Sequence, residues 1–215
     1  MGALLRGGRR LAAVGALLLA CACTPPAQPM QPPQAPEPTV YANGLFSGPM
    51  PTVDLPIQDI TQQTPVWCWA AVSQQIIMAS RGPQQTPPQC ALVAIANNAD
   101  PQICCNQQDR RCLRTGSIPQ IQGLSSRFGG RASNYAPPTD PLTLYRTLAQ
   151  GHAVIIGVSV GQGQGHVVVA RGMSFVQTQE GWQPMVHIND PMAYYTQPVP
   201  FQQIARAWVA AIVID

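Results

Sequence analysis

Trp69, Val72, Ile76 and Ala79 recur at steps of three and four residues, the spacing that lines one face of a helix. The helix they predict spans Pro65–Ser80, with Thr64 placed to cap it, Pro65 at the first helical position, and Gly82-Pro83 to stop it. Two more helices are marked by their ends: Pro87–Ala96 behind Thr86, and Pro141–Gln150 between Asp140 and Gly151. Runs rich in β-branched residues predict strands near Ala153–Val160, His166–Val176, Met185–Asn189 and Trp208–Ile214. The stretch PFQQIARA ahead of the last strand reads as a short helix, and VDLPIQDI as an edge strand or extended arm. Helices come first and strands afterwards, which indicates an α+β fold with an antiparallel sheet. No internal repeat is visible.

The first 52 residues carry a different pattern. Met1–Arg10 is basic, and Leu11–Leu19 is an apolar run too short to span a bilayer permanently. The run closes on Leu18-Leu19-Ala20-Cys21, which resembles a bacterial lipobox, so residues 1–20 read as a lipoprotein signal peptide and Cys21 as the lipidated residue. An ordinary signal peptide cut after Ala20 or Ala22 is the alternative. Residues 21–52 are crowded with proline, as in PPAQPMQPPQAPEP, and hold few large apolar side chains. Such chain stays extended, and a tether is expected there. Residues 53–215 are left as the folded domain, a length sufficient for one core. A domain anchored by a lipid in the bacterial cell envelope, facing the periplasm or the exterior, is the localisation these features imply.

Charge narrows the partners. The 215 residues include 12 basic and 9 acidic side chains. All the basic ones are Arg, and three of them (Arg6, Arg9 and Arg10) lie in the signal region. The balanced remainder is no footprint for nucleic acid.

Chemistry concentrates at TPVWCWAAVSQQI, Thr64 to Ile76. Cys68 falls in the first helical turn, where the positive end of the helix dipole favours a thiolate, so it is a candidate nucleophile. Such a nucleophile needs a base, and the base needs an orienting group. Of three histidines, His166 stands at a strand mouth after the glycine run GQGQG, while His187 lies mid-strand and His152 in a loop. Asp190 closes a strand just before Pro191. Two strand ends and one helix start can converge.

These residues bear a family likeness. TPVWCWAAVSQQI resembles the Cys-Trp-Ala-Ala helix of bacterial papain-like cysteine peptidases, particularly the plant-pathogen effector branch. GHVVVARG and VHINDP resemble the Gly-His and Asp-Pro pattern of bacteriocin-leader-processing peptidases. The resemblance covers roughly Ile57 to Pro191 and implies a papain-like fold, a helical lobe packed on a β lobe with Cys68 at the seam. It implies a Cys68–His166–Asp190 triad acting through an acyl-enzyme on a protein or peptide substrate, with no cofactor and no metal. It also implies a glutamine six residues before the nucleophile as oxyanion donor, which is Gln62, with Gln63 in reserve. The plant enzymes use Asn as third member, so Asn189 stands beside Asp190 as an alternative. A monomer is expected. Transglutaminase-like and cell-wall amidase enzymes share the residue order, and an inactive binding module could keep the fold; these remain open.

Seven cysteines test the compartment. Beyond Cys21 and Cys68, and Cys23 in the tether, four crowd together as Cys90, Cys104, Cys105 and Cys112. Export makes two disulfides the natural reading, with zinc as the runner-up. Adjacent Cys104 and Cys105 rarely bond each other. That leaves Cys90–Cys104 with Cys105–Cys112, or Cys90–Cys105 with Cys104–Cys112.

Overall fold

The computed structural model describes residues 38–106, 109–134, 140–161 and 165–214. The expected signal peptide, Cys21, Cys23 and most of the expected tether lie outside them.

Six strands follow one another across the sheet. Strand β3 (Ala153–Ser159), β4 (Gly165–Gln177), β5 (Trp182–Asn189) and β7 (Trp208–Ile214) form its body; β2 (Ala132–Asn134) and β6 (Val199–Pro200) lie at the two edges. Their order is β2-β7-β3-β4-β5-β6, and every pairing is antiparallel. A seventh, β1 (Val53–Asp54), pairs with β4 at Met173 and Gly172, beyond the point where β3 ends. Glycine is required at 172, because a Cβ there would lie 2.4 Å from the Val53 carbonyl oxygen.

Both faces of this sheet are covered, which is why β3 reads as an unbroken apolar run rather than an alternation. Ala153 and Ile155 point to one side, Val154, Ile156 and Val158 to the other. The first side packs against α1 (Cys68–Arg81), α2 (Gln89–Ala96) and α4 (Ile118–Arg127) through Val72, Ile76, Leu92 and Leu124. The second packs against α5 (Pro141–Ala149) and α6 (Phe201–Ala207) through Leu144, Leu148, Phe201 and Ile204. The α+β architecture expected from the chain is the one observed, with helices on both faces.

Helix α1 begins three residues later than its apolar spacing and proline suggested. Thr64 does not cap it; the Trp67 N–H donates to the Thr64 carbonyl at 3.2 Å, closing a separate turn. Proline suits the second position of such a turn as well as the first position of a helix, so both readings fit the same letters. The consequence is that Cys68 is the first helical residue. A similar shift affects α2, because Thr86 closes a 3₁₀ turn over Pro83–Gln85 and its hydroxyl bonds the Gly82 carbonyl. Asp140 caps α5 as expected, accepting the Thr143 N–H at 3.0 Å.

Two helices have no counterpart in the expected elements, α3 (Pro101–Asn106) and α4. The cysteines belong here. Cys90 bonds Cys105 and Cys104 bonds Cys112, which selects the second of the two pairings and leaves no sulfur for zinc. The tryptophans on either side of Cys68 tie this segment down, Trp67 Nε1 donating to the Cys112 carbonyl at 2.8 Å and Trp69 Nε1 to that of Arg114 at 3.3 Å.

The expected domain start at residue 53 needs correction. Phe46 is fully buried, exchanges backbone hydrogen bonds with Trp182, and packs edge-on against Phe175 with centroids 5.0 Å apart. The compact unit therefore includes the chain before β1, and residues 38–52 are packed rather than tether. Proline content drew the boundary too late because a single buried aromatic outweighs it. Phe46→Ala should destabilise the domain by about 3 kcal/mol or more, read as a lowered urea midpoint with little change in slope.

Candidate active site

Cys68 enters the site from the helix side. As the first residue of α1 it carries an N–H without an intrahelical acceptor, and the next two residues share that property. Its thiol is the one free cysteine thiol among the described residues and is partly exposed. His166 comes from the sheet, second residue of β4, opposite Val158 of β3. Asp190 follows the last residue of β5.

The imidazole and the carboxylate are both buried, and His166 Nε2 lies 2.6 Å from Asp190 Oδ1. A charge-assisted bond of that length fixes the ring and its tautomer. The turn after β5 holds the carboxylate in turn. Oδ1 accepts the Met192 N–H at 2.9 Å, and Oδ2 accepts those of Tyr194 and Tyr195 at 2.8 and 3.0 Å. Ala193 adopts φ +57° to make this wrap possible, a backbone conformation that costs a non-glycine residue about 1 kcal/mol.

These contacts set the charges. Burial alone would raise the Asp190 pKa, but the His166 bond and the backbone N–H groups pull it below the ordinary value. Burial would also push His166 down; hydrogen bonds and charge from Asp190 and Cys68 reverse that and lift it to about 9. The other ring nitrogen, Nδ1, has no hydrogen bond of normal geometry. Cys68 is therefore near enough to bias the ring without a fully formed bond, a common state of a catalytic pair before substrate arrives.

The alternative third member is accounted for. Asn189 is buried, but its side chain is committed elsewhere, accepting from Arg171 Nε at 2.7 Å and donating to the Ile57 carbonyl at 2.8 Å. The remaining histidines are placed differently. His187 Nε2 meets the Ser174 hydroxyl at 2.9 Å, and burial with the nearby Arg171 charge lowers its pKa. His152 precedes β3, its N–H on the Thr147 carbonyl.

Gln62 sits between the two halves of the site. Its backbone N–H donates to the Pro191 carbonyl at 3.1 Å, and its side-chain Nε2 donates to that of Thr64 at 2.6 Å. One amide hydrogen is thus committed and one remains. Gln63 is exposed, with its N–H on the Gln89 side chain.

A cleft of about 770 Å³ opens over Cys68 and His166. Trp69, Gly116 and Ile118 line it from the helical side; Val158, Val167 and Tyr194 line it from the sheet side. Tyr194 also stands edge-on to the His166 ring, 5.6 Å between centroids. The chain offered no prior sign of the wall at Thr115–Ile118 or of Tyr194. Asp59 was missed as well, a carboxylate that accepts the Gln75 amide at 3.1 Å and the Asp190 backbone N–H. Burial, then the charge of Asp190, raises its pKa.

No family model matches the chain, and no curated protein does. Solved structures do. A protein from Bacillus anthracis described as a C39-like peptidase aligns with a TM-score of 0.51 over 77% of this chain and 98% of that one, at 16% identity. The fold is papain-like. A double glycine motif protease from an AMS/PCAT transporter, solved with its leader peptide, aligns with a TM-score of 0.46 at 15% identity, over 77% and 94% of the two chains. At such identities the papain-like likeness is one of architecture, and the chemistry must be argued from the site itself.

Because the folded His166 pKa lies above the unfolded value of 6.5, its contribution to stability is complete below about pH 6.5 and is lost as pH rises through about 9. The lowered Asp190 pKa works the other way, its contribution fading as pH falls below the unfolded 3.8. Urea stability should therefore decline between about pH 6.5 and 9 by an amount on the order of 3 kcal/mol. Asp190→Asn should flatten that decline.

Proposed function

We propose that this protein is a cysteine peptidase, exported and anchored by a lipid on Cys21, that hydrolyses peptide bonds through Cys68, His166 and Asp190. The observation that carries the reading is a free thiol at a helix start and a buried imidazole paired with a carboxylate, the thiol and the imidazole lining one cleft. Papain-like architecture supports it. So do the two disulfides, which suit an oxidising compartment.

In this reading the Cys68 proton resides on His166, whose raised pKa suits it to hold one near neutrality. The sulfur attacks the carbonyl carbon of an amide. The oxyanion that forms is met by the Cys68 N–H, which the helix leaves unpaired, and by the remaining amide hydrogen of Gln62. His166 then delivers its proton to the departing amine, the C–N bond breaks, and an acyl-enzyme remains. Water attacks the thioester with His166 as base, which frees the acid and restores the thiol–imidazole proton count. Asp190 holds the ring in line throughout.

Cys68→Ala and His166→Ala should each reduce turnover by at least about a thousandfold while leaving the fold intact, whereas Asp190→Ala should retain a measurable fraction. New protein N-termini, compared between cells carrying wild type and Cys68→Ala, give the readout. The wild-type kcat/KM should fall as pH rises through about 9, where His166 loses the proton the leaving group needs. Labelling with a fatty-acid analogue should mark the wild type and leave Cys21→Ser unmarked.

A further inference from the structure

Between β1 and α1 the chain runs from Leu55 to Trp67 without joining a strand or a helix. This arm carries Gln62, and its backbone groups must find their partners elsewhere. Side-chain amides supply several of them. Asn189 Nδ2 donates to the Ile57 carbonyl at 2.8 Å, and Gln75 Nε2 to the Ile60 carbonyl at 3.2 Å. Gln89, the first residue of α2, then makes two contacts at once. Its Nε2 donates to the Thr61 carbonyl at 2.9 Å, and its Oε1 accepts the Gln63 N–H at 2.8 Å.

Those two contacts bracket Gln62. The Thr61 carbonyl belongs to the peptide unit before it, and the Gln63 N–H to the unit after it. Each unit is planar, so holding both fixes the two backbone dihedrals between them. The direction in which the Gln62 side chain leaves the backbone is fixed with them. Gln89 is itself well placed to hold. It is fully buried, and its second Nε2 hydrogen goes to Gln74 Oε1 at 3.2 Å. Gln74 Nε2 in turn donates to the Pro87 carbonyl at 3.1 Å, and the neighbouring Cys90 is bonded to Cys105. Only an amide of this length meets both demands. A carboxylate has no proton for the Thr61 carbonyl, a methionine offers neither partner, and asparagine is one methylene short.

We infer that Gln89 is a positioning residue for Gln62, aiming the amide hydrogen that meets the oxyanion without itself touching substrate. This rests on the peptidase reading and on the part Gln62 plays in it. A donor stabilises developing charge only if it is in place beforehand, and a misplacement of about 1 Å can cost about a hundredfold. Gln89 lies outside the cleft and the oxyanion exists only after attack, so the loss should fall on kcat rather than KM. Cys68 and His166 belong to other elements, and their reactivity should be spared.

The test uses fluorescently labelled casein, a largely unstructured protein, with hydrolysis that persists in Cys68→Ala subtracted. Gln89→Met should lower kcat by about tenfold or more at a KM within about twofold of wild type, and alkylation of Cys68 by iodoacetamide, which forms no oxyanion, should keep its rate. Gln62→Ala should lower kcat by about a hundredfold, and adding Gln89→Met to it should cost no more than about twofold further. Gln89→Glu supplies a second variant close in shape. Its kcat relative to wild type should recover as pH falls, because a protonated carboxyl regains a donor for Thr61. Equal losses from Gln89→Met with and without Gln62, a fall in Cys68 alkylation that matches the fall in kcat, or full activity in Gln62→Ala would each overturn the inference and leave the peptidase reading standing. Loss of folding in both Gln89 variants would overturn it too, since the amide would then hold the fold rather than the donor. Absence of any Cys68-dependent hydrolysis would sink the peptidase reading along with it.

Discussion

Two groups that water would normally claim are kept from it here: an imidazole and a carboxylate, each almost wholly buried, 2.6 Å apart. Neither could remain there alone, since an unpaired buried charge costs several kcal/mol. Together they are held because the turn after β5 supplies three backbone N–H groups to the carboxylate and the β4 start supplies the ring. The surrounding structure can be understood as the frame this pair requires. Gln62 ties the arm before α1 to Pro191, Asp59 joins Gln75 of α1 to the backbone of Asp190, and the sheet sets His166 opposite Val158. The helix start, with its sulfur, is thereby brought to the free nitrogen of the ring.

The covalent cross-links serve the same geometry at one remove. Cys90–Cys105 and Cys104–Cys112 close short loops of chain whose own helices are brief. Hydrogen bonds from Trp67 and Trp69 then bind the end of that segment to the helix that carries Cys68. Cys68 and one wall of the cleft are therefore parts of a single stapled body, and the other wall belongs to the sheet. Each tryptophan beside the cysteine is core by burial, and Trp69 is also cleft surface.

Much of this was legible in the chain, and the reasons are specific. Helix α1 announced itself by its apolar stripe, α5 by Asp140 and Gly151, and β7 by an apolar run whose ends match the observed strand. Cys68, His166 and Asp190 could be proposed together because few residues were available for each role. What the letters did not carry was anything set by packing at a distance. The arm at Phe46 looked like tether because its partners, Trp182 and Phe175, lie well over a hundred residues away. The capping box at Ser117 and Gln120 was present in the sequence as Ser-x-x-Gln, yet the proline and glycine around it masked the helix. The choice between Asp190 and Asn189 was open for a simpler reason. Adjacent residues of a strand face opposite ways, and only the sheet decides which faces His166.

The same alternation explains why site and selectivity are separable in this fold. The residues that hold the ring's charge lie at strand and helix ends, fixed by backbone hydrogen bonds that tolerate little change. Those that would greet a substrate, Val160, Tyr194 and Val209, are exposed side chains at a strand end, in a loop and on a bulge, and few packed neighbours constrain them. The buried pair is rigid because burial demands it, and the cleft rim is adjustable because exposure permits it.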